Sequence, residues 1–204
     1  RTMVSNWNGT YMRVANYHVK GTPHFFGESF WGSLDYKGGE SVTGIKVLYN
    51  LYEQTVGIDM KNNGDVFLAE KPLERFTIEL PEKFSGKKLL FANSSSFGLT
   101  GKTEYFNVLE DGPKVAFLKA YRVRLLPDPT NEMNKELRVF DQYYEYYIYN
   151  KATKELKKIK LKEKDILKEI AADENLKVKI KSGEVDLSSE MHVISVLKAY
   201  NSNP

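Results

Sequence analysis

Residues 140–150 read FDQYYEYYIYN. Successive side chains of a strand point to opposite faces, so the stretch divides into two sets. Phe140, Gln142, Tyr144, Tyr146 and Ile148 form one face and read as its core side. Asp141, Tyr143, Glu145, Tyr147 and Tyr149 form the other. That second set holds two acids, and a buried carboxylate without a partner is costly, so Tyr143 and Tyr147 are expected to face water. Exposed tyrosines on a sheet can stack on sugars or pack against a protein. The structural alternative is cross-strand aromatic packing in a two-layer fold.

Working outward, residues 9–161 continue as short runs rich in Val, Ile, Phe and Tyr, bounded by Gly, Asn, Asp or Pro, as strands are. Hairpin signals lie between them: KGGE at 37–40, KNNGD at 61–65, EDGPK at 110–114 and NKATKE at 150–155. Asn63-Gly64 and Asp111-Gly112 supply the positive φ angles such turns need. The short spacing between turns predicts an antiparallel meander, because parallel strands require long crossovers. One long break, LLPDPTNEMNKE at 125–136, carries two prolines and reads as a loop that could serve as a mobile flap. In VLYNLYEQ, Asn50 is the polar interruption of a strand, and its amide is expected to satisfy backbone groups at a bulge or bend.

The pattern changes after Lys162. In KEKDILKEIAA, Ile166, Leu167 and Ile170 recur at helical spacing, and Val193, Ile194, Leu197 and Tyr200 do so in SSEMHVISVLKAYN, with Ser188 or Ser189 as N-cap. Between them, Leu176, Val178 and Ile180 alternate as in a strand, yet Asp173 as N-cap and Gly183 after the end favour a short helix. The expected fold is therefore α+β: an antiparallel β-meander, as a sandwich or an open barrel-like sheet, over residues 1–161, followed by a small C-terminal helical segment over 162–204.

A second aromatic stretch, GTPHFFGESFWGSL at 21–34, places Phe25, Phe26, Phe30 and Trp31 within seven positions. Gly21, Pro23 and Gly27 break the chain there. Phe30 and Trp31 enter the next strand on opposite faces, so both cannot be core on one face: one closes the barrel or sheet end, and the other is shared with a second layer or exposed. The stretch reads as a structural aromatic corner, with a ligand rim as the alternative.

At 204 residues the chain can bury a sizeable core unaided. Thirty basic and 27 acidic side chains give a net charge of +3, too balanced to point to nucleic acid. No apolar run is long enough for a transmembrane helix. The chain opens at Arg1 without an apolar leader, which leaves a cytosolic protein or one whose signal peptide has been removed. Cysteine is absent, so these residues hold no disulfide or thiolate chemistry. The lysine-rich segment 151–168 contains eight lysines and reads as an edge strand and a solvated helix face, or as a patch for anionic lipid or polysaccharide.

Catalytic signals are weak. His18, His24 and His192 lack partners at metal-binding intervals, so no metal or cofactor is expected. No G-x-S-x-G, P-loop or G-x-G-x-x-G motif occurs. The hydroxyls of Ser94, Ser95 and Ser96 lie in a segment that reads as a loop, and the carboxylates Glu28 with Asp35 or Asp141 with Glu145 are the pairs that could serve a glycoside hydrolase. None of these singles out a catalytic residue.

The segment HVKGTPHFFGESFWGSLDYKGGESVTGIKVLYNLYEQTVGI, 18–58, resembles the opening of a family of uncharacterised secreted proteins from Bacteroidota. The matching residues are Val19, Gly21, Pro23, Phe25, Phe30, Gly32, Tyr49, Asn50 and Tyr52. The tail VLKAYNS resembles that family's helical ending. Residues 81–135 match loosely, and Gly38-Gly39 stands where the family often has Asp-Gly. The resemblance implies export, hence a periplasmic or extracellular location after removal of a signal peptide, and it supplies no catalytic residues. The function expected from the whole is a non-enzymatic envelope or secreted protein that binds another macromolecule, a protein of the envelope. The alternatives are a glycan-binding module and an unrecognised hydrolase. Trp31, Tyr143, Tyr147 and Tyr149 are the candidate binding residues.

Overall fold

A computed structural model of the chain describes residues 12–14, 17–60, 65–69, 72–130, 137–170 and 174–202. The expected Asn63-Gly64 turn, the 131–136 part of the expected flap and the cap Asp173 lie outside the described residues. The architecture is α+β, mostly strand, with helices toward the C-terminus. The strands are β1 (Met12–Val14), β2 (Tyr17–Lys20), β3 (Phe30–Tyr36), β4 (Ser41–Asn50), β5 (Thr55–Met60), β6 (Asp65–Leu68), β7 (Leu73–Glu79), β8 (Lys88–Asn93), β9 (Tyr105–Asp111), β10 (Val115–Pro127), β11 (Leu137–Asn150) and β12 (Glu155–Ile159). The helices are α1 (Glu163–Glu169), α2 (Glu174–Lys181) and α3 (Glu190–Ser202). Single 3₁₀ turns occur at Phe25–Gly27 and Ser94–Phe97. The expected loop at 125–136 begins later than its prolines suggested, because β10 runs on to Pro127.

The chain forms two compact units. Unit 1 comprises the residues up to Lys88 with Tyr121–Tyr143, and unit 2 comprises Leu89–Ala120 with the residues from Tyr144 onward. The long strands β10 and β11 each contribute one half to either unit.

In unit 1 one strand run has the order β7-β3-β4-β5-β6, antiparallel throughout as the short turns demand. The Gly38-Gly39 hairpin is formed, with Gly39 at φ 85° and its N–H donating to the Tyr36 carbonyl at 2.9 Å. A second group pairs β1 with β2 and β2 with β11. The β2–β11 pair is parallel, Val19 opposite Arg138, which departs from a pure meander. The chain has more than a hundred intervening residues for this crossover, so the long-connection requirement of a parallel pair is met.

The unit 1 core is aromatic. Phe25, Tyr49 and Phe76 are fully buried, and the Tyr49 ring meets Phe76 edge-on at 5.2 Å. The Tyr49 hydroxyl donates to Gln54 Oε1 at 2.7 Å, and Gln54 Nε2 donates to the Leu51 carbonyl at 2.8 Å. A buried phenol needs such a partner. Asn50 caps the β4–β5 turn as its polar position predicted: Oδ1 accepts the N–H groups of Tyr52 at 2.9 Å and Glu53 at 3.1 Å. The turn closes on Gln54 at φ 56°. The β11–β12 turn repeats this device, with Asn150 Oδ1 accepting from Ala152 and Thr153 and Lys154 at φ 56°.

At the end of β10, Asp128 is ion-paired to Lys20 at 2.8 Å and accepts from the N–H and hydroxyl of Thr130. Its hydrogen bonds to Lys20 and Thr130 pull its pKa down to about 2.

Unit 2 orders its strands β12-β11-β10-β9-β8. Its sheet is covered on both faces. On one face Phe117, Tyr146, Ile148 and Ile159 meet Ile166 of α1 and Val193, Val196 and Leu197 of α3. On the other, Phe106, Ala116 and Leu118 meet Phe97 of the 3₁₀ turn, with Tyr147, Tyr149 and Leu156 beside them. Burial on both faces explains why VAFL of β10 is apolar without alternation. The helical tail thus docks through the residues its periodicity marked. α2 is a helix, and Gly183, at φ 78°, follows two residues after its end.

A single buried carboxamide fixes the register of α3. Asn201 Oδ1 accepts the N–H groups of Lys114 at 3.1 Å and Val115 at 3.0 Å, and Nδ2 donates to the Val115 carbonyl at 3.0 Å. These groups belong to the β9–β10 turn. Gly112 makes the approach possible, since a Cβ there would lie 2.1 Å from Asn201 Cγ.

Three outcomes follow. Leu197→Ala, at a fully buried site, should lower the unfolding free energy by about 2–4 kcal/mol in urea titration. Gly112→Ala and Asn201→Ala should each destabilise unit 2, and the double variant should cost clearly less than the two losses added, because both remove the same contact. For Asp128, whose folded pKa lies below the ordinary value near 3.9, the stabilisation is present above about pH 4 and lost as pH falls through about 2. The urea midpoints of the wild type and Asp128→Asn should therefore differ at neutral pH and converge near pH 2.

Candidate interaction surface

Residues directly opposite in an antiparallel pair share a face, so the unit 1 register defines two surfaces. Phe30, Val47, Ile58 and Phe67 form one row across β3, β4, β5 and β6. Burial decays along it: Phe30 is 3% exposed, Val47 0%, Ile58 half-buried, and Phe67 61%. Met60, two residues beyond Ile58 on this face, is also exposed. The apolar side of the sheet therefore runs past its own cover and ends as a shelf.

The opposite face carries Trp31 opposite Lys46, whose Nζ lies 4.8 Å from the indole centroid. Leu48, Gly57 and Leu68 follow on the same face. Asp59, opposite Val66, accepts a 2.6 Å hydrogen bond from Ser29 Oγ. Gly57 is required here because a Cβ would come within 2.6 Å of Val66 Cγ1. Leu68 is exposed.

Between these surfaces runs β6. It ends the strand order, and among the described residues only β5 pairs with it. The segment Val66-Phe67-Leu68 has no charge or proline to discourage pairing. Sheet edges are normally blunted by such residues.

The aromatic corner belongs to unit 1 as well. Phe25 is buried and Phe26 is exposed. Phe26 sits at φ 49°, a strained backbone for a bulky residue, and stacks on Phe84 at 4.9 Å. Lys83 lies over Phe84 and is ion-paired to Glu28. His24 is buried with Nδ1 3.1 Å from Thr22 Oγ1, and its backbone carbonyl accepts from Gln142 Nε2 at 2.8 Å. Burial lowers its pKa and favours the neutral ring. The stretch is the expected structural corner, with two rings, Phe26 and Trp31, turned outward.

The candidate tyrosines occupy other surroundings. Phe30 is core and Trp31 solvent-facing, as alternation requires. Tyr143 is half-buried under the Arg124 guanidinium at 5.1 Å, and Arg124 is paired to Asp141. Tyr147, which the two acids implied would face water, does not, and Tyr149 shares its face. Both are half-buried, edge-on to Phe106 at 5.3 Å and Phe97 at 5.6 Å. Glu145 sits among them because Lys158 neutralises it and the Tyr147 hydroxyl donates to it. The exposed ring is instead Tyr144, which had read as core. Two-sided cover of β11 in unit 2 removes the contrast between faces that a strand covered on one side would show.

The candidate catalytic groups are engaged structurally. Glu28 pairs with Lys83, Asp35 accepts from Ser41, and Ser94 Oγ donates to the Lys102 carbonyl. Among the described residues no group of three or more His, Asp or Glu side chains could hold a metal ion. Neither protein-family models, curated proteins nor solved structures yield a match to the chain.

Asn50→Leu leaves the two N–H groups of the β4–β5 turn unpaired and should destabilise unit 1 by roughly 1–3 kcal/mol. An unchanged denaturation midpoint would show that solvent replaces the amide at no cost.

Proposed function

We propose that the protein is a non-enzymatic binding protein of the cell envelope or the secreted space, which captures an extended segment of another protein along β6. The observation that carries this reading is the uncharged run Val66-Phe67-Leu68 on a terminal strand, with Phe67 exposed on one face and Leu68 on the other. A strand added there gains main-chain hydrogen bonds from the edge. Its alternate side chains then fall on the Phe67/Met60 shelf and on the Leu68 side, where Trp31 lies farther along the face. Main-chain pairing supplies affinity, and the two apolar surfaces select a partner with apolar residues on both faces. The envelope or secreted location is supported by the resemblance of residues 18–58 and of the tail to exported proteins.

A second reading, glycan binding, is favoured by Trp31, 44% exposed, with Lys46 and Asp59 on its face as polar neighbours. The two readings separate by mutation. Phe67→Asp should leave the melting temperature nearly unchanged, since the side chain is largely solvated. Capture of the partner protein from native membranes by tagged protein should fall by about 2 kcal/mol, roughly thirtyfold. Undiminished capture by Phe67→Asp, with loss in Trp31→Ala, would move the site to the indole face. Concentration-dependent dimerisation abolished by Phe67→Asp would identify a second copy of the chain as the occupant.

A further inference from the structure

We propose that the lysine-rich face of β12 and α1 in unit 2 docks on an anionic lipid bilayer. Residues 151–168 hold eight lysines and three acids, a net of +5, whereas the whole chain carries +3. All the positive excess of the protein therefore resides in these 18 residues, and the remainder is net negative.

The fold sorts these lysines into two classes. Lys151 pairs with Asp111, Lys157 with Glu155 and Glu169, and Lys158 with Glu145. Lys154, Lys160, Lys162, Lys164 and Lys168 are exposed, and no carboxylate among the described residues pairs with their ammonium groups. Lys164 and Lys168 lie one turn apart on α1, whose Ile166 is in the core. Lys154 lies in the turn before β12, Lys160 and Lys162 in the connection that leads from β12 into α1, and Lys164 and Lys168 on α1 itself. Such an array of unneutralised cations attracts an anionic surface, an effect that salt screens.

Apolar surface lies beside the cations. An open groove of about 470 Å³ has Leu161, Ile180, Val185 and Leu187 as its apolar wall, and Lys162, Glu163 and Asp186 also line it. Val178 of α2 is exposed as well. A phospholipid supplies both complementary parts, a negative headgroup for the lysines and acyl chain for the apolar surface. An acidic polysaccharide supplies only the first. Lysine stems can lie along apolar surface while their ammonium groups reach the headgroups.

The test is flotation of the full chain with vesicles of phosphatidylcholine alone or mixed with phosphatidylglycerol. Binding is expected only to the mixed vesicles, with loss between about 0.05 M and about 0.5 M NaCl as the Debye length shortens. The variant Lys160→Glu/Lys162→Glu/Lys164→Glu/Lys168→Glu should bind at least roughly a hundredfold more weakly, since each cation near such a surface contributes several-fold. These side chains are exposed, and circular dichroism checks that the variant folds. The salt dependence of the wild type tests the proposal without any substitution. Equal binding to both vesicle types, or salt-insensitive binding, overturns it. So does retention on a soluble acidic polysaccharide with no binding to vesicles.

Discussion

A strand that pairs on one side leaves the backbone groups of its other edge to solvent or to a partner. In unit 1 that constraint falls on β6. The row Phe30, Val47, Ile58, Phe67 passes from full burial to exposure within four strands, so the core is built from one end of the sheet and fades at the other. Everything upstream serves that geometry. The Asn50 cap and the Tyr49–Gln54 pair fix the β4–β5 turn, and Gly57 lets β6 lie close against β5. The surface is thus held by rigid elements while its apolar residues remain outside.

Unit 2 solves the same problem in the opposite way. Its sheet is covered on both faces, and the Asn201 carboxamide fastens α3 to the β9–β10 turn through three backbone hydrogen bonds. A carboxamide can satisfy donors and an acceptor at once, which suits a turn whose N–H and C=O groups would otherwise be buried unpaired. Glu190 secures the first turn of the same helix, accepting from Lys119 at 2.7 Å and from the Tyr146 hydroxyl at 2.6 Å. Polar contacts thus hold both ends of α3, and the apolar middle, Val193, Val196 and Leu197, fills the core.

The two surfaces differ in physical character. After Asp65, β6 is apolar, and the pairing proposed for it would rest on main-chain hydrogen bonds and apolar shape, interactions that salt affects little. The β12–α1 face is cationic, and its attraction is long-ranged but screened.

The strands, hairpins and helices were legible in the sequence because they depend on local chemistry. Alternation fixed the opposite placement of Phe30 and Trp31, the Gly-Gly pair marked a turn with a positive φ at Gly39, and the spacing of Val193 and Leu197 identified the buried side of α3. The Asp111-Gly112 pair also marked a turn, but Gly112 has no positive φ and serves instead to admit Asn201. Asn50 was visible as a polar residue out of place in an apolar run. On β11 the side read as core does bury Phe140, Tyr146 and Ile148, but Tyr144 on that side is exposed and Tyr143 and Tyr147 on the other are half-buried, since alternation identifies which residues share a face but not how many faces are covered. Glu145 looked like a mark of solvent, yet Lys158, thirteen residues away, neutralises it. The parallel β2–β11 pair, the meeting of Asn201 with Gly112 and the position of β6 at the end of its strand order join residues that are distant in the chain or depend on which strands become neighbours. Sequence alone determined which segments would be strands or helices and which sides they could bury. The tertiary structure decided which apolar side chains found cover and which, like Phe67, did not, because burial is settled only when all the strands compete for the same neighbours.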